Sequence, residues 1–410
     1  MTTRTDGRKT KRSVGFVVTL GALCAVSPLG IDMYVPGLPD LARSLGASAS
    51  AAQLSVTGFL LGLVLGQLLF GPLGDLYGRR PLLIGGALLA AACSVVCVFS
   101  PNIEVFVAAR VLAGFFGATG PVLARSVVSD RFQGAQRARY YAMLGIVVGV
   151  APVVAPALGG AVVALGSWRY VFVLLAVVSL ALALAVVRWV PESLPPEGRT
   201  KGGVRASFAA MADLLHNRAF AGYILVMALT SAAMFTYVSD SSFVFEQHYG
   251  TSVGLYTVIF AGNAVAMLVS SSLYGALSGR VSSRTLLGIG LAIAAAATVA
   301  HLGVTAVTGG SFLVSWLCLM ATVAGIGLIF PATTTIVQEL GGRSAGASSA
   351  LLGAGQFALG ALISPLAGLF QNGVLPLAAM MAVGAVLALA AFLGVRRSHV
   401  SAQSDLALGG

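Results

Sequence analysis

Charge is scarce in this chain. Of 410 residues, 24 are Lys or Arg and 13 are Asp or Glu, 9% in all, where a soluble globular chain carries about 25%. A water-facing surface cannot be built from so few charges, so a soluble globular fold is excluded. Lysine is rarer still. Only Lys9, Lys11 and Lys201 occur, and none follows a glycine. That excludes the Gly-Lys-Ser/Thr phosphate loop and an ATP-driven motor of that type. His216, His248, His301 and His399 show no metal-ligand spacing. Cys24, Cys93, Cys97 and Cys318 all fall in apolar segments, and the i, i+4 pair Cys93 and Cys97 has no His or acid beside it. These read as small apolar packing residues rather than a redox or metal pair. No metal, no other cofactor and no enzymatic activity is expected.

What the chain has is length without charge. The stretches Ser44–Gly74, Pro81–Ile103, Tyr140–Trp168, Tyr170–Val187, Ala219–Ser239, Thr285–Gln338 and Ser344–Val395 carry none. A spanning helix needs about 20 apolar residues. The last two stretches are long enough to fold back once and hold two helices each. With Val14–Val35, the run around Arg110 and two spans within Ala219–Gly279, the expectation is an all-α integral membrane protein of twelve transmembrane helices. The net charge of +11 is not a nucleic-acid signal. With a cytoplasmic N-terminus, Arg43 and Arg169 lie outside, Arg110 lies within a helix, and the other Lys and Arg fall on cytoplasmic segments. That is the positive-inside distribution. The basic start before the first run resembles a signal peptide's charged region, but the run contains Pro28 and Asp32 and lacks a small-residue cleavage site, so an uncleaved first span is expected. Both termini are expected in the cytoplasm.

The halves divide at Pro191–Gly203, the longest polar, Pro/Gly-rich stretch. The expected organisation is a cytoplasmic tail at 1–13, a six-helix half at 14–190, a cytoplasmic linker at 191–217, a second six-helix half at 218–397 and a cytoplasmic tail at 398–410. A weak repeat supports two pseudo-symmetric halves. Gly71-Pro72-Leu73-Gly74-Asp75-Leu76-Tyr77-Gly78-Arg79-Arg80 and Gly275-Ala276-Leu277-Ser278-Gly279-Arg280-Val281-Ser282-Ser283-Arg284 share Gly, Leu and the final Arg at an offset of 275 − 71 = 204 residues. Repeats of this kind build secondary transporters with a central site.

In the first of these loops, glycines permit a tight turn between two spans. Asp75 can accept hydrogen bonds from a neighbouring helix N-terminus. Arg79 and Arg80 can pair with an acid on an adjacent loop, for which Asp130 is the candidate. The loop resembles the loop 2–3 signature of the major facilitator superfamily, Gly-x-Leu-x-Asp-Arg-x-Gly-Arg-Arg/Lys, and departs from it at Leu76, where the signature has Arg. Arg110-Val111-Leu112-Ala113-Gly114 looks like the helix-4 signature of proton-coupled members. Ala151-Pro152-Val153-Val154-Ala155-Pro156-Ala157-Leu158-Gly159-Gly160 resembles the helix-5 antiporter signature. Ile31-Asp32-Met33-Tyr34-Val35-Pro36-Gly37-Leu38-Pro39 is similar to the end of helix 1 in the bicyclomycin and chloramphenicol resistance group of twelve-helix drug:proton antiporters. The resemblance implies that Pro152, Pro156, Gly159 and Gly160 pack the halves and limit leak, and that Gly71, Asp75, Gly78, Arg79, Arg80 and Asp130 form a gating loop.

Physical chemistry points the same way. An acid within a span costs about 2.5–3.5 kcal/mol on insertion scales, so its retention marks a substrate or proton path. Asp32 can exchange a proton. Arg110 lies about 10 Å from the outer end of its helix at 1.5 Å per residue, in the same outer half as Asp32, so each can sense the other's charge. A hydrophobic drug needs an apolar, aromatic cavity with few polar anchors. The candidates are Tyr34, Phe59, Phe115, Met234, Phe235, Tyr237, Phe330 and Phe357, with Asn263 and Gln356 as polar groups. The expected function is proton-coupled efflux of small, largely apolar antibiotic-like compounds, driven by the proton gradient, by a monomer in a bacterial cell membrane. A proton-coupled or facilitative transporter of an endogenous metabolite with the same fold is the alternative.

Overall fold

Backbone N–H and C=O groups find no water in hydrocarbon, so an apolar chain must satisfy them within each segment, and the helix does so. The computed structural model describes residues 4–199, 203–342, 344–367 and 373–408, and among these every regular element is helical. In chain order they are α1 (Arg4–Asp32), α2 (Leu38–Ser44), α3 (Ala49–Tyr77), α4 (Arg79–Val98), α5 (Ile103–Gly117), α6 (Thr119–Arg131), α7 (Gly134–Val163), α8 (Arg169–Trp189), α9 (Gly203–His216), α10 (Arg218–Phe243), α11 (Val253–Leu277), α12 (Ser283–Thr308), α13 (Phe312–Leu340), α14 (Ala345–Ala367) and α15 (Val374–Leu408). Ten helices among the described residues are long and apolar enough to cross a membrane, or eleven with the bent pair Gly134–Ala151 and Val154–Val163 taken as one. Twelve were expected. The further apolar helix is α14, and its side chains from 360 onward lie outside the described residues.

Polar residues stand where the spans start. Ser48, Asn102, Ser252 and Ser282 each accept a hydrogen bond from the backbone N–H three residues on, which satisfies a donor that has no partner inside the helix. α12 ends on Gly309 at φ 78°, the left-handed cap that glycine adopts without strain.

The chain forms two compact units. One comprises Met1–Phe132, Val150–Ala210 and Ser344–Ala354; the other comprises Gln133–Gly149, Met211–Arg343 and Gly355–Gly410. The first has an aromatic core of Tyr34, Phe106, Trp168 and Phe172. Phe106 meets Trp168 and Phe172 edge-on at 5.4 and 5.2 Å, the arrangement ring quadrupoles favour. Trp168 also donates from Nε1 to Ser44 Oγ at 2.8 Å. In the second unit small residues bring helices together. A Cβ on Gly290 of α12 would sit 2.8 Å from the Gly325 carbonyl of α13, a close backbone approach typical of membrane interfaces.

Candidate functional site

One buried cation is Arg110, about two turns from the start of α5 and 1% exposed. Its surroundings follow from two glycines. A Cβ on Gly114 would lie 2.1 Å from the Phe59 carbonyl, so glycine there lets α3 come close to α5. A Cβ on Gly30 would lie 2.6 Å from Phe59 Cζ, so glycine there leaves room for the ring. The result is that the guanidinium carbon stands 4.1 Å from the Phe59 centroid, 4.4 Å from that of Tyr34 and 5.7 Å from that of Phe172. Arg110 Nη2 donates to the Gly30 carbonyl at 2.7 Å. Such an aromatic enclosure holds a cation through the negative faces of the rings.

Asp32 is the last residue of α1 and half-buried, and no hydrogen bond or ion pair is seen for its side chain among the described residues. The structure therefore does not join Asp32 to Arg110. The arginine is engaged two residues earlier, by a carbonyl and by rings. Tyr34 is fully buried and its hydroxyl shares a hydrogen bond with Ser55 Oγ at 2.9 Å. The helix-5 residues reach this corner from α7. A Cβ on Gly159 would lie 1.7 Å from the Met33 carbonyl oxygen, while one on Gly160 would meet nothing within 4 Å. Pro156 is half-buried; the Pro152 side chain lies outside the described residues.

A second constellation gathers at the α3–α4 turn. Gly78 takes φ 95°, a conformation that favours glycine, and the chain reverses there. Arg79, 1% exposed, donates from Nη2 to Asp75 at 2.6 Å and from Nε to Asp130 at 3.1 Å. Its planar fork suits two carboxylates at once. Asp75 also accepts from the Gly346 and Ala347 N–H groups at 3.1 Å each, the first turn of α14, where the helix dipole favours an anion. Gly71 makes the approach possible, since a Cβ there would lie 2.2 Å from the Gly346 carbonyl. The Arg80 side chain forms no ion pair among the described residues; it donates to the Val187 carbonyl at 2.7 Å.

Glu192 belongs to this constellation, and the sequence reading gave it no role. Its carboxylate accepts from the Arg79, Arg80, Ser193 and Leu194 N–H groups at 2.9, 3.1, 3.0 and 3.0 Å. Partial burial pushes this carboxyl upward, but the four N–H donors outweigh it and hold it below the usual glutamate range. Ser193 donates to Asp130 at 2.8 Å. Arg125 is a second omission. The charge count placed it among the loop cations, yet it is buried inside α6 and donates to Gln67 Oε1 at 3.2 Å. Its signal was available: it precedes Ser126-Val127-Val128-Ser129, an uncharged stretch, rather than loop residues.

The aromatic candidates are spread over both units. In the first, Phe115 packs on Phe70 at 5.0 Å. In the second, Phe235 packs on Phe357 at 5.9 Å, Met234 is half-buried, and Phe330 and Gln356 are buried. Tyr237 accepts from Asn263 Nδ2 at 2.9 Å and stacks on Phe260 at 5.3 Å.

The family model described as Major Facilitator Superfamily matches residues 20–365. The chain belongs to the major facilitator superfamily. It is a transporter and not an enzyme, and it is a multi-pass membrane protein. Among superfamily members, it is 36% identical to the uncharacterized MFS-type transporter YdgK of Bacillus subtilis, over 96% of this chain and 98% of that one. It is 32% identical to a bicyclomycin resistance protein homolog of Haemophilus influenzae, over 68% of this chain and 70% of that one. The fold matches that of the human organic anion transporter MFSD10 with a TM-score of 0.71 at 17% identity, covering 93% of this chain and 99% of that one.

Proposed function

We propose that this transporter exports small, largely apolar antibiotic-like compounds, chloramphenicol and bicyclomycin being the first to test, in exchange for protons. The observation that carries the reading is the corner around Arg110. A cation enclosed by rings donates to the Gly30 carbonyl, two residues before the half-buried Asp32, for which no ion pair is seen among the described residues. Asp32 is free to take and release a proton, and Arg110 keeps a positive charge close to the carbonyl of Gly30 throughout. The bicyclomycin resistance name of one relative supports the compound class. The gradient supplies the energy: one charge crossing 100 mV yields about 2.3 kcal/mol. Rocking of the two halves, with the Asp75–Arg79–Asp130 cluster and α14 as latch, alternates access. The protein acts as a monomer in a bacterial cell membrane, with both termini in the cytoplasm.

The test is drug susceptibility of a pump-deficient host expressing the wild type or Asp32→Asn at matched membrane levels. Resistance with the wild type and loss of it in the variant is the expected result. Unchanged resistance in the variant discards Asp32 as the proton site. No resistance to any compound across a broad panel overturns export and favours transport of a metabolite.

A further inference from the structure

We infer that Tyr237 and Asn263 form an uncharged hydrogen-bonding subsite that reads a carboxamide or lactam group of the transported compound. The inference deepens the export reading and rests on it. Tyr237 is 2% and Asn263 1% exposed, yet the hydrogen bond between them leaves the amide incompletely used. Asn263 Oδ1 is buried with no partner among the described residues. A buried polar atom left open is costly, so each one that a fold keeps calls for a physical explanation.

The chemistry of the guest follows without knowing which way the amide is turned. With Nδ2 donating to the tyrosine, the pair presents the Oδ1 acceptor and the phenolic O–H donor. Turned over, the phenol donates to Oδ1, and the pair presents the NH2 donor and a phenolic lone pair. Both arrangements expose one donor beside one acceptor. An amide carries the complementary set in one plane. The phenol is fixed in place because its ring lies on Phe260 at 5.3 Å, 8° from parallel.

The neighbouring face explains why the guest is uncharged. Residues 230, 234, 237 and 241 fall on one side of α10 at i, i+4, i+7 and i+11. They are Thr230, Met234, Tyr237 and Ser241, with no charge among them. Thr230 Oγ1 is also buried without a partner among the described residues, a second open polar atom on that face. Met234 is half-buried and adaptable in shape. A charged guest would be left without a counter-charge on this face, and burying it unpaired is costly.

The test measures binding to the purified full-length protein of N-phenylbenzamide and phenyl benzoate, followed by ligand-dependent thermal stabilisation. The two share shape and carbonyl, and only the amide has an N–H donor. The expected result is that the wild type binds the amide at least tenfold more tightly than the ester. Asn263→Leu and Tyr237→Phe then bring the ratio towards one with the ester affinity within about twofold. Equal affinities in the wild type, absence of binding of either compound, or parallel loss of both in the variants overturns the subsite. Should Asn263→Leu fail to fold, Tyr237→Phe decides alone, since it keeps the ring on Phe260. Amide preference in a protein that confers no resistance overturns export and keeps the subsite. Resistance without amide preference does the reverse.

Discussion

Gly159→Ala is the most exacting test of how α7 meets the end of α1. The added Cβ would lie 1.7 Å from the Met33 carbonyl oxygen, 2.6 Å from its carbon and 2.9 Å from Cα. These are backbone atoms, so no side-chain rotation relieves the clash. Bringing the first distance to the 3.0 Å that real Cβ atoms respect requires a shift of about 3.0 − 1.7 = 1.3 Å. Overpacking of this kind costs about 1–3 kcal/mol. Against it, Ala in place of Gly favours a helix by about 0.5–1 kcal/mol. Gly160→Ala receives the same helical gain and meets nothing within 4 Å, so the adjacent residue is a matched control. Thermal unfolding of the purified proteins is expected to show Gly159→Ala destabilised and Gly160→Ala equal to or above the wild type. Met33 directly follows Asp32, so the displacement reaches the carboxyl. Export per folded molecule is therefore expected to fall in the first variant and persist in the second. Indistinguishable melting of the two variants would refute the reasoning.

Two further outcomes follow from the α3–α4 turn. Arg79→Ala leaves Asp75 and Asp130 without their shared cation; breaking a buried pair costs about 3–5 kcal/mol, so the variant is expected to melt well below the wild type, with Arg79→Lys in between because an ammonium lacks the planar fork; equal melting of Arg79→Ala and wild type refutes the assignment. Glu192 has a folded-state pKa held below its unfolded value, so its contribution is present above the ordinary glutamate range near about 4.3 and is lost as pH falls through the lower folded value. The melting difference between the wild type and Glu192→Gln, measured from pH 6 down to pH 3, is expected to shrink as the pH drops, and a constant difference counts against the carboxylate.

The spans were legible because hydrocarbon imposes one rule on every residue of a span, and a charge-free run obeys it visibly. The family was legible because the Gly71–Arg80 loop and the Arg110–Gly114 and Ala151–Gly160 segments are local patterns. The partner of Arg110 was not. A charged residue in a sequence invites a search for the opposite charge, and the positions of Asp32 and Arg110 say only that each can sense the other. The structure instead uses a backbone carbonyl and aromatic faces. Every residue has a carbonyl, so no sequence signal singles out Gly30. What does leave a trace is the space: Gly30 and Gly114 are glycines because Phe59 and its backbone occupy what a Cβ would fill.

Leu76 carries the same lesson further. Read locally, a leucine where the superfamily signature has Arg is a lost charge at the turn. In the folded chain, Glu192 Oε2 and Arg199 Nη2 come within 2.7 and 2.9 Å of where a Cβ of Gly78 would stand. Glu192 also caps the first two residues of α4 from 113 and 112 positions away. Charge is therefore present at this turn, delivered by the stretch the sequence reading treated as a linker. A polar Pro/Gly-rich segment looks like a spacer because its composition excludes a span, but composition says nothing about which backbone donors its first acid will reach. Those donors are the unpaired N–H groups at the start of α4, which exist because a helix starts there. Helix starts were readable from the charge pattern. Searching for acids near unsatisfied helix starts, rather than for opposite charges near buried cations, is the sequence question that would have found Glu192.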